Sequence, residues 1–231
     1  MYFRDQKVIL IHVPKTGGNA LQAELIEYSL DRKVVDGHRD GYDRFEVQGE
    51  VTPSKHATLS DYYRELGEEL FDHRIAITAR NPLHRAVSMY FSPHRHRRLN
   101  LRTRVLRTLA SWIGLDVRTG PGAYEQLEVQ YDFDSFKQVV SEMNSICDYL
   151  RVNGKRIEPD LVIRQENLQS GLTSLTKMLH IDEELTLVRR NASDASDKKL
   201  EHVRSDERVV KLCKEKFAED YEFLGDDRSD P

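Results

Sequence analysis

Cysteine is scarce in this chain. Cys147 and Cys213 are its only two. They stand far apart, without a CxxC or Cys/His ligand spacing, so neither a disulfide framework nor a zinc site is expected, only ordinary thiols of a reducing compartment. Long apolar runs are missing too. None is long enough to span a bilayer, and no apolar h-region of a signal peptide precedes the first strand pattern. A soluble, cytoplasmic protein is the expectation. Neither sign of charge dominates: 35 Lys and Arg against 39 Asp and Glu leave a net charge of −4. The basic excess of a nucleic-acid binder is therefore absent, and any basic site must be local. Repeats and low-complexity tracts are lacking. What remains is 231 residues, 39% hydrophobic and 32% charged, which suits a single domain over residues 1–231.

Strand and helix patterns alternate along the chain. Residues 7–13, 74–79 and 160–164 are short apolar runs fit for buried parallel strands. Helical spacing covers residues 19–30, 60–70 (with Ser60 as cap), 101–113, 135–150, 168–179 and 205–223. Pro82 sits where its missing N–H costs nothing, at a helix start. Residues 31–55 and 114–132 read as short strands and loops. The alternation predicts an α/β fold with a central, mostly parallel sheet flanked by helices.

Two strand–turn–helix stretches carry chemistry. The first is "ILIHVPKTGGNALQAEL", residues 9–25. A glycine turn between a buried strand and a helix aims several backbone N–H groups at one spot, and the positive end of the helix dipole adds to them. Lys15 supplies a mobile charge and Thr16 a hydroxyl. The loop suits a phosphate or sulfate; the alternative is a plain turn with a surface lysine. It departs from the nucleotide-binding pattern GxxxxGK[ST], because Lys15 precedes the glycines. No apolar strand ends in the Asp that would hold Mg²⁺, which disfavours a metal-dependent nucleotide hydrolase. The second stretch is "IAITARNPLHRAVSMY", residues 75–90. Arg80 ends the strand, and Ser88 lies two turns into the next helix. A guanidinium fork and a hydroxyl make a second anion site. Two such sites at the C-terminal ends of parallel strands suit one ligand with anionic groups at both ends.

These residues resemble a known family. "PKTGGN" is similar to the 5'-phosphosulfate loop of sulfotransferases, and "RNPLHRAVS" to their 3'-phosphate motif, R-[DN]-P-x-x-R-x-x-S. The resemblance is nearest to the carbohydrate, heparan 2-O-sulfotransferase-like group and its bacterial relatives. "SKHATLSDYYRELG", "VIRQENL", "RRNASD" and "FAEDYEFLG" resemble later family blocks, with Asp226 where an aromatic is usual. The resemblance implies a P-loop-like nucleotide-binding sulfotransferase fold and the donor 3'-phosphoadenosine 5'-phosphosulfate (PAPS), with PAP as product and no metal. It implies that Lys15 neutralises charge on the leaving oxygen, that Thr16, Gly17, Gly18 and Asn19 hold the 5'-phosphate, and that Arg80 and Ser88 hold the 3'-phosphate. Arg190, Asn191 and Ser193 match a loop that closes over the nucleotide in relatives. Arg85 belongs to the motif as a ligand contact or a helix brace. Arg164 and Glu166 are expected to hold the fold, with Glu166 also bracing the pocket.

A hydroxyl acceptor needs a base. His56 matches a catalytic histidine of the 2-O-sulfotransferase-like members, and a histidine near its ordinary pKa of about 6.5 suits the task. His38 is the fallback. The relatives carry two histidines nearby, where this chain has Ser54. The basic run from Arg95 to Arg107 is either the footprint of an anionic acceptor or the solvated face of a helix. Asn191-Ala192-Ser193 also forms a glycosylation sequon. The rival expectations are a nucleotide or small-molecule kinase and an inactive PAP-binding protein.

Overall fold

The computed structural model describes residues 1–34, 46–92, 97–99, 124–126, 131–187, 201 and 203–226. The strands are β1 (Tyr2–Phe3), β2 (Val8–Ile11), β3 (Arg32–Val34), β4 (Glu46–Gln48), β5 (Arg74–Ala79), β6 (Arg97–Leu99), β7 (Tyr124–Gln126), β8 (Arg151–Val152), β9 (Lys155–Arg156) and β10 (Leu161–Arg164). The helices are α1 (Gly18–Leu25), α2 (Leu59–Leu66), α3 (Pro82–Tyr90), α4 (Phe133–Glu142), α5 (Leu168–Met178), α6 (Glu207–Lys216) and α7 (Ala218–Leu224).

The central sheet has the order β1-β2-β5-β10. β2, β5 and β10 run parallel, and β1 pairs antiparallel with β2 at the edge. Alternation along the strands divides the core between two faces. Ile9, Ile11, Ile75 and Ile77 point into a cluster with Leu59 and Tyr62 of α2. Val8, Leu10, Ala76 and Ile163 point into another with Leu21 and Leu25 of α1 and Leu172 and Leu175 of α5. Both faces are covered, so the strands read as continuous apolar runs. A third cluster joins α3, α4, α6 and α7 through Val87, Tyr90, Phe136, Val209 and Tyr221. The mostly parallel α/β architecture is as expected.

Several element ends differ from the sequence expectation. Thr58, not Ser60, caps α2: its hydroxyl accepts from the Asp61 N–H while the Asp61 carboxylate takes the Thr58 N–H, a reciprocal capping box. The helix expected at 19–30 ends at Leu25 and tightens to a 3₁₀ turn. The one expected at 135–150 starts at Phe133 under an Asp132 cap and stops at Glu142. The tail forms two helices with Phe217 between them, its ring buried in the third cluster. Pro82 stands at the start of α3, as expected. The helix expected at 101–113 lies outside the described residues. Cys147 and Cys213 are buried free thiols. Among the described residues no helix is long and apolar enough to cross a membrane.

Candidate functional site

β2 delivers the chain into a loop of alternating handedness. Lys15 (φ 70°) and Gly17 (φ 82°) are left-handed, with Thr16 between them at negative φ. Such alternation turns successive N–H groups toward one side, the geometry of an anion nest. It opens directly on the first turn of α1, whose Gly18 and Asn19 N–H groups precede the first bond of the helix, from the Ala20 N–H to the Gly17 carbonyl at 3.1 Å. Gly17 suits its position twice over: it adopts the left-handed conformation without strain, and a Cβ there would stand 3.1 Å from Leu168 Cδ2. The Thr16 side chain points inward. Its hydroxyl donates to the Val13 carbonyl at 2.6 Å and meets the Thr78 hydroxyl at 2.6 Å. Thr16 thus ties the loop to β5, leaving its backbone N–H as its group on the loop face. Lys15 and Asn19 are half-buried on this loop.

His56 lies beside the same strand end. Its Nδ1 donates to the His12 carbonyl at 2.9 Å. A carbonyl only accepts, so this bond fixes the proton on Nδ1 and leaves Nε2 with a free lone pair, the tautomer a general base needs. Burial lowers the His56 pKa, and the charge of buried Lys55 lowers it further. The imidazole is therefore neutral near pH 7. Its ring packs against that of His12, centroids 4.5 Å apart. His12 is itself buried, bonded through Nδ1 to Gln22 Oε1 at 2.9 Å, and its pKa is lowered first by burial, then by repulsion from His56 whenever that ring is protonated, and by the charge of Lys55. A paired-histidine arrangement thus exists, with His12 as the partner. Sequence alone does not reveal it, because His12 sits inside an apolar strand pattern, where a histidine reads as core. The usable signal was Gly18. A Cβ there would fall 2.1 Å from His12 Cδ2, so the second glycine of the turn is the space that the imidazole occupies.

The second strand–turn–helix stretch follows β5, the parallel neighbour of β2. Arg80 is half-buried, and its Nη1 reaches the Lys15 carbonyl at 3.5 Å. The two motifs expected from sequence therefore meet at adjacent strand ends. Arg80 Nε is buried with no hydrogen-bond partner, and burial lowers the guanidinium's pKa. Asn81 caps α3, its Oδ1 accepting from the Leu83 and His84 N–H groups. Glu166 accepts the Asn81 N–H at 3.1 Å. Asp226 accepts from Asn81 Nδ2 at 3.2 Å and pairs with Arg164 at 2.5 Å. The Asp226 departure from the family pattern thus bolts the C-terminus of α7 to the ends of β5 and β10. Ser88 is half-buried two turns into α3. Between Arg80 and Ser88 lies His84, its pKa pushed down to about 4 by burial and by the charges of Arg204 and Arg80.

Arg85 faces the other way. It is 2% exposed, pairs with Asp220 at 3.5 Å, donates to the Asn144 carbonyl and lies 5.4 Å from the Phe217 ring centre. It braces α3 against α7. His38, Arg190, Asn191, Ser193, His94, Arg95, His96, Arg102, Arg104 and Arg107 lie outside the described residues, as do the side chains of Arg97 and Arg98. Among the described residues no group of His, Cys, Asp or Glu has the geometry of a metal site. The model of the Sulfotransferase family matches residues 1–225. No curated protein matches the chain, and no solved structure does.

Proposed function

The chain belongs to the Sulfotransferase family, and on that premise we propose that it moves the sulfuryl group of PAPS in line to a hydroxyl acceptor, with a carbohydrate as the acceptor class and His56 as the base. The observation that carries this reading is the junction of the two anion motifs, Arg80 Nη1 on the Lys15 carbonyl at 3.5 Å. It sets a loop built for one anion beside an arginine with an unpartnered nitrogen, as a nucleotide phosphorylated at both 5' and 3' positions requires. PAPS supplies the activated sulfuryl group. The backbone N–H groups from Thr16 to Asn19 hold the 5'-phosphate, preorganised by the nest and by the start of α1. Lys15 neutralises charge gathering on the oxygen that departs with the nucleotide. Arg80 and Ser88 hold the 3'-phosphate, and Arg190, Asn191 and Ser193 are assigned to nucleotide binding. His56 Nε2 takes the acceptor proton, while its Nδ1–H stays on the His12 carbonyl and keeps the ring aimed.

Thermal stabilisation tests the donor. PAP with a chelator present should raise the melting temperature, since a ligand at 100 times its Kd adds about 2.7 kcal/mol. Stabilisation by ATP with Mg²⁺ and none by PAP would overturn the reading in favour of a kinase.

A further inference from the structure

His84 and Ser88 stand four residues apart on α3 and so share one face of it, and Arg80, just past the end of β5, lies close enough for its charge to act on His84. The opposite face of α3, with Leu83, Ala86 and Val87, is buried in the third cluster. Val203 is fully buried in that same cluster, which brings the next residue, Arg204, alongside α3. Arg204 is half-buried, and its charge is felt by both Arg80 and His84. No acid among the described residues forms an ion pair with it. Its Nε, like that of Arg80, is buried without a hydrogen-bond partner. The acid acting on Arg80, Glu166, already accepts the Asn81 N–H and faces Arg164 at 3.6 Å. Two guanidiniums with orphaned donors are thus gathered near His84. Such an arrangement costs stability unless an anion joins them. A phosphate dianion presents the several acceptor oxygens that two forked donors and a hydroxyl can share.

We propose that Arg204 is a third cationic contact for the donor's 3'-phosphate, closing the Arg80–Ser88 seat from the C-terminal part of the chain. The proposal rests on the donor reading above and adds to it a residue outside the two sequence motifs.

The test is calorimetry with two nucleotides, PAP and adenosine 5'-monophosphate, which lacks only the 3'-phosphate. Arg204→Ala should weaken PAP binding about 10- to 100-fold and leave the monophosphate within about twofold. Arg204→Lys keeps the charge without the fork and should fall between. The ratio of the two affinities is insensitive to any fraction of protein that fails to fold. An unchanged ratio in Arg204→Ala would overturn the assignment and leave the donor reading standing. Unmodified protein that binds PAP no better than the monophosphate would overturn both.

Discussion

Gly18→Ala is the sharpest perturbation of this site, because two physical terms oppose each other. Alanine restricts the unfolded chain, which alone favours it over glycine by about 0.4–1 kcal/mol. Against that, the new Cβ would lie 2.1 Å from His12 Cδ2, 2.5 Å from Nε2 and 2.6 Å from Cγ. Relief needs a movement of roughly 1.4–1.9 Å to reach ordinary carbon contact. His12 has little room to retreat: it is 3% exposed, bonded to Gln22 at 2.9 Å and packed on His56 at 4.5 Å. Overpacking of this kind costs about 1–3 kcal/mol. With the opposing term subtracted the net loss is up to about 2.5 kcal/mol, and since 1 kcal/mol lowers Tm by about 2–4 °C for a domain of this size, a drop of up to about 10 °C is expected. Turnover should fall at least about 100-fold, since a displacement of about 1 Å at a positioned group already has that effect. Calorimetric melts of a double-mutant cycle check the cause. In a His12→Ala background the clash is gone, and Gly18→Ala should become neutral or stabilising. Equal destabilisation in both backgrounds would refute the reasoning.

Arg80→Ala removes a charge-assisted contact worth roughly 1.5–3 kcal/mol and should weaken PAP binding by about one to two decades; unchanged affinity by calorimetry would return Arg80 to a purely structural role. His56→Ala should lower kcat by about 10²–10⁴ while PAP affinity barely moves, and near-normal turnover would pass the role to His38. Acid should destabilise the fold. His12 and His56 both titrate lower folded than the unfolded value of 6.5. The unfolded chain therefore binds more protons below pH 6.5, and stability is lost as pH falls from there toward the folded values, by up to about 1.4 kcal/mol per pH unit for each histidine. Urea unfolding at pH 7.5, 6 and 5 should show this loss, with a shallower slope in His12→Asn; equal slopes would contradict a buried neutral His12.

Much of this arrangement was legible because it rests on periodicity and on residues with few conformational options. The apolar run of β5 was read at its true ends, and β2 and β10 within a residue or two. Pro82 marked the start of α3 through its fixed φ. The turn was recognised from Gly17, which only glycine occupies without strain. The cap of α2 was misplaced because any Ser or Thr near the boundary qualifies; the acid three residues on, Asp61, singles out Thr58. The two-residue strand β1 and the break at Phe217 leave no periodic trace, since tertiary packing alone sets them. His12, Lys55, His84 and Arg204 were missed for a shared reason. Each gains its meaning from neighbours distant in sequence: His56 across from β2, and α3 across from the residues before α6. Thr16 shows the converse. Its motif position was evident, but its hydroxyl faces Val13 and Thr78, a direction that spacing cannot supply.

The most direct measurement is transfer of label from ³⁵S-PAPS, with chelator present, to a panel of hydroxyl acceptors that includes neutral and anionic saccharides. Labelled saccharide and stoichiometric PAP are expected from the unmodified protein, with a loss of about 10²–10⁴ in rate for His56→Ala. PAP binding at full stoichiometry with no label transferred to any acceptor would contradict the proposed transfer and leave a nucleotide-binding protein without the reaction.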